Sequence, residues 1–343
     1  MNILVCTSQI PFVRGGAEML AEGLRDALLA AGHRAEIVAL PYQWLPHEEL
    51  FKSALAWRLL DLTTSNGLPV DRIIVTKFPS YAASHPYKIA WLVHQYRQAY
   101  EWFGTPLSEF TGDPADVAVR ERLFELDRRM LGEARARFAI SKNVAARLNR
   151  YNGLEAEPLY PPPRLAGQFR SGDYGDYILY LGRLDRAKRV DLLIRALAGI
   201  KQGRAIIAGT GPDAGELERL ARACGLTDRL IFTGYVDDAR AIDLYANARA
   251  VYYAPVDEDY GFATVEALMS ERPVVTTLDA GGVLEFIENE TDGLVTAPES
   301  GPLGDALARV FADLSACRRW GLAGDERVRG ITWDRVVQTL LAG

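Results

Sequence analysis

The sequence predicts an α/β protein made of two parallel sheets, each covered by helices and joined near residue 165. Three observations carry that expectation. Short apolar runs alternate with helix-like runs almost throughout, the pattern of βα units and parallel pairing. Pro161, Pro162 and Pro163 break the alternation; three prolines continue neither a helix nor a central strand and read as a stiff connector. The alternation then restarts at residues 177–181.

In chain order, residues 3–7 form a short apolar strand. Residues 16–31 carry Leu20, Leu24, Ala27 and Leu28 at helical spacing, and Gly32 follows as a stop signal. A second strand is expected over 35–40, a helix over 47–62, and strands over 72–76 and 88–93. Asp113 and Pro114 open a long helix, an N-cap followed by proline in the first turn. A strand over 137–140 precedes a helix capped by Ser141. Beyond the prolines come a helix over 190–198, a strand over 205–208, a helix over 213–224 and a strand over 230–232. A short buried strand over 249–255 leads into a helix over 262–270, and further units continue to about residue 325.

The 343 residues, 49% of them hydrophobic, suffice for two domains. A net charge of −6 argues against a general nucleic-acid binder. Cys6, Cys224 and Cys317 are far apart and odd in number, which argues against a disulfide framework or zinc site and for a reducing compartment. The opening residues read as a first strand rather than a leader, and no apolar run approaches membrane-spanning length. A cytoplasmic protein is expected.

The segment from Glu258 to Glu266 is the most informative. Glu258 stands on the loop after a strand, Glu266 about a turn inside the next helix, and Gly261 between them lets the backbone approach a ligand closely. The first amides of that helix lack intrahelical partners and carry partial positive charge. Amides toward phosphate and carboxylates toward hydroxyls suit a phosphorylated sugar. Gly182, Arg183 and Lys188 follow the restart strand; two cations there would stabilise charge growing on a departing diphosphate. In isolation a solvated basic helix start is the better explanation of the two cations; beside the Glu258–Glu266 segment the diphosphate reading is preferred.

Four weaker features fall at the carboxyl ends of strands, where ligands of such sheets bind. Gly15 and Gly16, before Ala17 and Glu18, allow close approach of phosphate or sugar, or make a plain turn. His94 has the best placement of the four histidines for bonding a substrate hydroxyl or moving a proton. Gly209, Thr210, Gly211 and Pro212 could cradle phosphate or form a tight turn; Ala214 removes a dinucleotide fingerprint. Gly281 and Gly282 precede Glu285, which reads as a first-turn helix residue. Asp237 and Asp238 read as a helix start rather than metal ligands.

Together these residues resemble the family 4 retaining glycosyltransferases of GT-B fold, in motif order and spacing over nearly the whole chain. The resemblance implies two Rossmann-like domains facing each other across a cleft: residues 1–165 on the acceptor side and 166–325 binding a nucleoside-diphosphate sugar. Residues 326–343, with Thr332, Trp333, Asp334 and Arg335, would cross back onto the first domain. It implies catalytic roles for His94, Arg183, Lys188 and Glu258. Donor binding would fall to Gly15, Gly16, Arg183, Lys188, Gly211, Val236, Glu258, Gly261, Phe262, Ala263, Thr264 and Glu266. Glu266 would take the ribose hydroxyls, Glu258 and the catalytic His94 would contact the sugar, and Val236 would border the base. Ala263 and Thr264 stand where many members carry another small or aliphatic pair, which leaves the sugar open.

The expected reaction is hexose transfer to an acceptor hydroxyl with anomeric configuration kept, without metal or other cofactor. The acceptor is a glycan, a lipid-linked compound or a small molecule; no nucleic acid is expected. The arginines between 120 and 150 suggest peripheral contact with the inner membrane face, although interspersed acids fit an ordinary solvated face. The alternatives are a nucleotide-sugar epimerase, a non-catalytic nucleotide-binding module, and a glycoside hydrolase, which leaves Arg183 and Lys188 without a task.

Overall fold

A computed structural model of the chain describes residues 1–12 and 15–343. By internal contacts these divide into two compact units, Met1–Arg164 with Ile331–Gly343, and Leu165–Gly330.

The first unit runs β1 (Asn2–Gln9), α1 (Gly16–Ala30), β2 (Arg34–Pro41), α2 (Glu49–Leu59), β3 (Thr64–Ser65), β4 (Leu68–Pro69), β5 (Arg72–Lys77), β6 (Lys88–His94), α3 (Pro114–Gly132), β7 (Ala136–Ala139), α4 (Lys142–Asn152) and β8 (Glu157–Pro158). Its six-stranded sheet has the order β2-β1-β5-β6-β7-β8, with parallel neighbours. Ile3, Val5, Ile73, Ile74, Ile89 and Trp91 fill the core around it. The capping residues act as their chemistry dictates. The Asp113 carboxylate accepts from the Ala115 and Asp116 amides, and Ser141 Oγ accepts from Val144 N–H. Gly32 leaves α1 at φ +83°, a backbone state glycine adopts without steric cost.

The second unit runs β9 (Tyr177–Leu181), α5 (Val190–Ala198), β10 (Arg204–Ala208), α6 (Ala214–Ala223), β11 (Leu230–Gly234), α7 (Asp238–Asn247), β12 (Ala250–Tyr252), α8 (Phe262–Met269), β13 (Val274–Thr277), β14 (Gly293–Thr296), α9 (Ser300–Ala312) and α10 (Leu314–Val328). Its sheet has the order β11-β10-β9-β12-β13-β14, again parallel. Counted within the unit this is the Rossmann order 3-2-1-4-5-6, whose direction reverses between β9 and β12.

The last helix, α11 (Trp333–Ala342), packs on the first unit. Trp333 meets Gly23 of α1 where a larger residue would clash, and lies edge-on to Trp91 with ring centres 6.3 Å apart.

Several expectations are corrected in detail. The helix expected over 47–62 spans only Glu49–Leu59, because Leu60 turns to an extended backbone. The strand expected over 249–255 is cut to Ala250–Tyr252, with Tyr253, Ala254 and Pro255 buried beyond it. The small antiparallel pair β3-β4 and the edge strand β8 lacked an apolar run to announce them. Two Rossmann-like α/β units stand as the sequence predicted.

Candidate functional site

In the second unit the chemistry gathers at the switch point. Lys188 belongs to the turn after β9, and Glu258 to the loop after β12, so neighbouring strands bring them together. Lys188 Nζ is ion-paired with Glu258 Oε2 and donates to Tyr253 Oη at 3.2 Å. The Tyr253 hydroxyl in turn donates to Glu258 Oε2 at 3.2 Å. Burial alone would push the Lys188 pKa down. The Glu258 carboxylate, with Tyr180 and Asp185, more than reverses this and holds it above the ordinary lysine value, so Lys188 is cationic throughout the neutral range.

Glu258 is fixed from the other side by a backbone bridge to Gly281. Its amide donates to Ala280 O at 3.2 Å, and its carbonyl accepts from Gly282 N–H at 2.7 Å. A Cβ at Gly281 would lie 2.6 Å from the Glu258 amide nitrogen, and one at Gly282 would lie 2.5 Å from Asp259 O. The glycine pair thus serves close backbone approach. Glu285, read as a first-turn helix residue, ends a 3₁₀ turn, Gly282–Glu285.

Glu266 sits inside α8 and accepts from Tyr245 Oη at 2.7 Å. Gly261 precedes that helix at φ +87° with no side-chain cap, so Phe262, Ala263 and Thr264 head α8 without a capping side chain. Thr264 Oγ1 is buried without a hydrogen-bond partner. Arg183 stands apart: its side chain is 60% exposed and its guanidinium lies 3.5 Å from Asp185. The structure therefore brings Lys188 and Glu258 together and turns Arg183 toward its own loop.

Gly211 has a packing task. A Cβ there would run into the backbone of Leu184, whose amide donates to Thr210 O at 2.9 Å. Gly209 likewise abuts Gly182. Val236 lies half-buried in the turn between β11 and α7, next to the exposed Tyr235. Asp237 caps α7 by accepting from Arg240 N–H at 2.8 Å, the helix-start role expected of it.

The first unit has its own cluster at the β1–β5 switch point. Lys77 Nζ lies 2.5 Å from Glu18 Oε1, and Glu18 Oε2 accepts from Gly15 N–H at 2.8 Å. Burial would raise the Glu18 pKa, but Lys77 and the amides lower it on balance. Gly16 begins α1. His94 ends β6, and its Nδ1 lies 2.7 Å from Gln95 O. Because a carbonyl only accepts, Nδ1 is the donor, and in the neutral ring Nε2 keeps the lone pair.

Sequence reasoning missed Tyr253 and Tyr245, which hold the two glutamates. The signal was an aromatic hydroxyl at the end of a buried strand and another one helix upstream. It also missed Arg189, which donates to Ala254 O, Pro255 O and Thr277 Oγ1 and pairs with Asp279, tying the loops after β9, β12 and β13 together. Of the arginines expected to form a basic face, Arg120 on α3 lies over Phe103 and Phe124, Arg122 over Phe51 and, beyond α3, Arg135 over Tyr87. Among the described residues no helix is long and apolar enough to cross a membrane, and no three His, Cys, Asp or Glu side chains converge as a metal would need.

Residues 167–327 match the family model described as glycosyl transferases group 1. An uncharacterized glycosyltransferase of Methanocaldococcus jannaschii is 32% identical over 175 residues, 47% of this chain and 42% of that protein. The GDP-mannose-dependent alpha-(1-6)-phosphatidylinositol monomannoside mannosyltransferase of Mycobacterium tuberculosis is 31% identical over 224 residues, 60% of this chain and 58% of that protein. The chain thus spans about half the length of the curated relatives it matches. Among solved structures, sucrose-phosphate synthase from Thermosynechococcus elongatus superposes with a TM-score of 0.76 at 20% identity, covering 100% of both chains. The fold is that of the GT-B glycosyltransferases.

Proposed function

We propose that this chain is a glycosyltransferase that moves a hexose from a nucleoside diphosphate to an acceptor hydroxyl, keeping the anomeric configuration and needing no metal. The observation that carries the reading is the Lys188–Glu258–Tyr253 cluster at the β9–β12 switch point, beside the uncapped start of α8. Open parallel sheets bind ligands at such points. The match of residues 167–327 to glycosyl transferases group 1 and the names of the relatives support it.

In this reading Lys188 and the first amides of α8 stabilise the diphosphate, joined by Arg183 once its exposed side chain leaves Asp185. Glu266 receives the ribose hydroxyls and Glu258 a sugar hydroxyl. Gly211 and Val236 border the nucleoside. Gly15, Gly16 and His94 act from the first unit, His94 accepting a hydroxyl through Nε2. The bond between the anomeric carbon and the diphosphate oxygen breaks as the acceptor oxygen attacks from the same face. The acceptor's proton passes to the departing phosphate, so charge and atoms balance. A positive charge held by Glu258 waits where negative charge develops, which is the arrangement that lowers such a barrier.

The test is turnover of a panel of UDP- and GDP-sugars with glycan, lipid-linked and small-molecule acceptors, followed by the anomeric configuration of the product. Acceptor-dependent transfer with retained configuration is expected. Interconversion of the donor alone would mark an epimerase, and nucleotide binding without turnover a binding module.

A further inference from the structure

The residues directly beside the Lys188–Glu258 pair hold their backbone in an uncommon state. Arg189, which follows Lys188, has φ +50°, and Asp257, which precedes Glu258, has φ +45°. That left-handed region is unfavourable for any residue with a Cβ and free of cost for glycine. Such conformations persist where the surroundings over-determine them, and they gather at sites that must be preorganised.

The Arg189 side chain is what over-determines this one. It is 15% exposed. Nε donates to Ala254 O at 2.8 Å and Nη2 to Pro255 O at 3.0 Å. Nη1 and Nη2 fork onto the two carboxylate oxygens of Asp279, each at 2.8 Å. Nη2 also donates to Thr277 Oγ1 at 2.7 Å, and that hydroxyl donates to Asp279 Oδ1 at 2.8 Å. Burial alone would raise the Asp279 pKa, but Arg189 and Thr277 lower it on balance, so the pair stays charged at neutral pH. On the main chain, Arg189 O accepts from Tyr252 Oη at 2.8 Å.

These contacts bracket Tyr253. Arg189 is bonded to Tyr252 before it and to Ala254 and Pro255 after it. The Tyr253 hydroxyl is the group that bonds both Lys188 and Glu258. Main-chain bonds run alongside: Val256 N–H donates to Ala187 O at 2.8 Å and Asp257 N–H to Asp279 O at 2.9 Å. The guanidinium thus spans the loops after β9, β12 and β13 where Lys188, Tyr253 and Glu258 converge. A lysine could not replace it, because an ammonium has three donors around one point and no planar fork.

We propose that Arg189, anchored by Asp279, is a positioning residue for the transfer reaction: it holds Tyr253 and Glu258 against Lys188 before a donor arrives. This role rests on the reading of the switch point as the donor site. It requires no contact between Arg189 and the substrate. Its effect is preorganisation, and a misplacement of about 1 Å at a reacting site costs on the order of a hundredfold in rate.

The test separates the backbone from the side chain in the full chain. Arg189→Gly relieves the positive φ and removes the fork; Arg189→Lys keeps the positive φ and a charge but cannot fork. Donor turnover, read as nucleoside diphosphate released from UDP- or GDP-sugars with acceptor, should fall in kcat by on the order of tenfold to a hundredfold in both, with donor KM changing less. Added to Glu258→Gln, Arg189→Gly should lower kcat by no more than about threefold further, because the two act through one group. A merely structural role would multiply the two losses. A second readout needs no turnover. Hydrogen exchange of the Val256, Asp257 and Glu258 amides should quicken by about tenfold or more in Arg189→Gly and in Asp279→Asn, while Leu179 and Val251 keep their protection. Asp279→Asn leaves Arg189 in place and serves where an Arg189 variant does not fold. Unchanged exchange at those three amides in the folded variants overturns the positioning role. So do wild-type kcat in Arg189→Gly beside an impaired Glu258→Gln, and losses that multiply in the double variant. Wild-type turnover by Glu258→Gln overturns instead the reading of the donor site, and the exchange readout still decides whether Arg189 holds the loop.

Discussion

Lys188 keeps its charge in a half-buried place because Glu258 stands against it and Tyr253 bonds both. Removing either ion leaves the other poorly compensated, and removes a charge from the proposed diphosphate site. Lys188→Ala and Glu258→Gln should each lower the transfer rate by about 10²–10³, with circular dichroism and the cooperative melt retained; wild-type rates in either contradict the assigned roles. Asp127 carries a second residue-scale expectation. Its folded pKa of about 7 lies above the ordinary carboxylate value of 3.8, so between those values native Asp127 holds a proton that the unfolded chain gives up. The resulting stability is fully present below pH 3.8 and is lost as pH rises through about 7. Wild type should therefore lose melting temperature relative to Asp127→Asn between about pH 4 and 7, and a constant difference across that range contradicts the buried titration. Lys188 and Glu258 were legible in the sequence because a charged residue on the loop after a buried strand points to a sheet's carboxyl edge, and Glu266 because it falls about a turn inside the helix that follows. Tyr253 and Tyr245 were not, since a tyrosine at the end of an apolar run looks like core until its hydroxyl is given a partner. Arg183 was legible as a cation but not as one turned toward Asp185.

At the scale of elements, the glycine motifs carry backbone geometry. Gly211 passes so close to Leu184 that no Cβ fits, whereas Gly215, within the first turn of α6, has its nearest neighbour at Arg219 Nη1, 3.8 Å away. Gly211→Ala should therefore destabilise the protein by about 1–3 kcal/mol or more. Gly215→Ala should stabilise it by ~0.5–1 kcal/mol through the better helix propensity of alanine. Denaturant unfolding of both variants checks the pair, and equal effects contradict the packing account. Sequence spacing located both glycine loops at the strand ends, but it could not distinguish a loop that touches a ligand from a loop that touches a neighbouring loop. Gly281 makes the same point: its closeness to the Glu258 amide depends on β13 lying beside β12, a tertiary fact. Caps were fully legible, since Asp113, Ser141 and Asp237 need only the local backbone to act.

For the molecule as a whole, the alternation of strands and helices revealed two parallel sheets, while strand order came only from tertiary contacts and the crossing of the last helix to the first unit was expected only from the family resemblance. Ile331–Gly343 belongs to the first unit, through Trp333 against Gly23 and Trp91 and through Arg72 Nη1 donating to Leu340 O at 2.6 Å. Deleting residues 331–343 should loosen the first unit while the second, a continuous segment, keeps its protection. Hydrogen exchange should show fast exchange spreading through β1, β5 and β6 but not through β9, β10 and β12; uniform protection or uniform loss contradicts the division. The central claim is that the β9–β12 switch point of the second unit takes a nucleoside diphosphate, and calorimetric titration of UDP and GDP into the wild type and into Lys188→Ala tests it most directly. The account predicts saturable one-site binding of at least one nucleotide to the wild type and its loss, or weakening by tenfold or more (about 1.4 kcal/mol), in a folded Lys188→Ala. Absence of binding by both nucleotides, or equal affinity in wild type and variant, would contradict it.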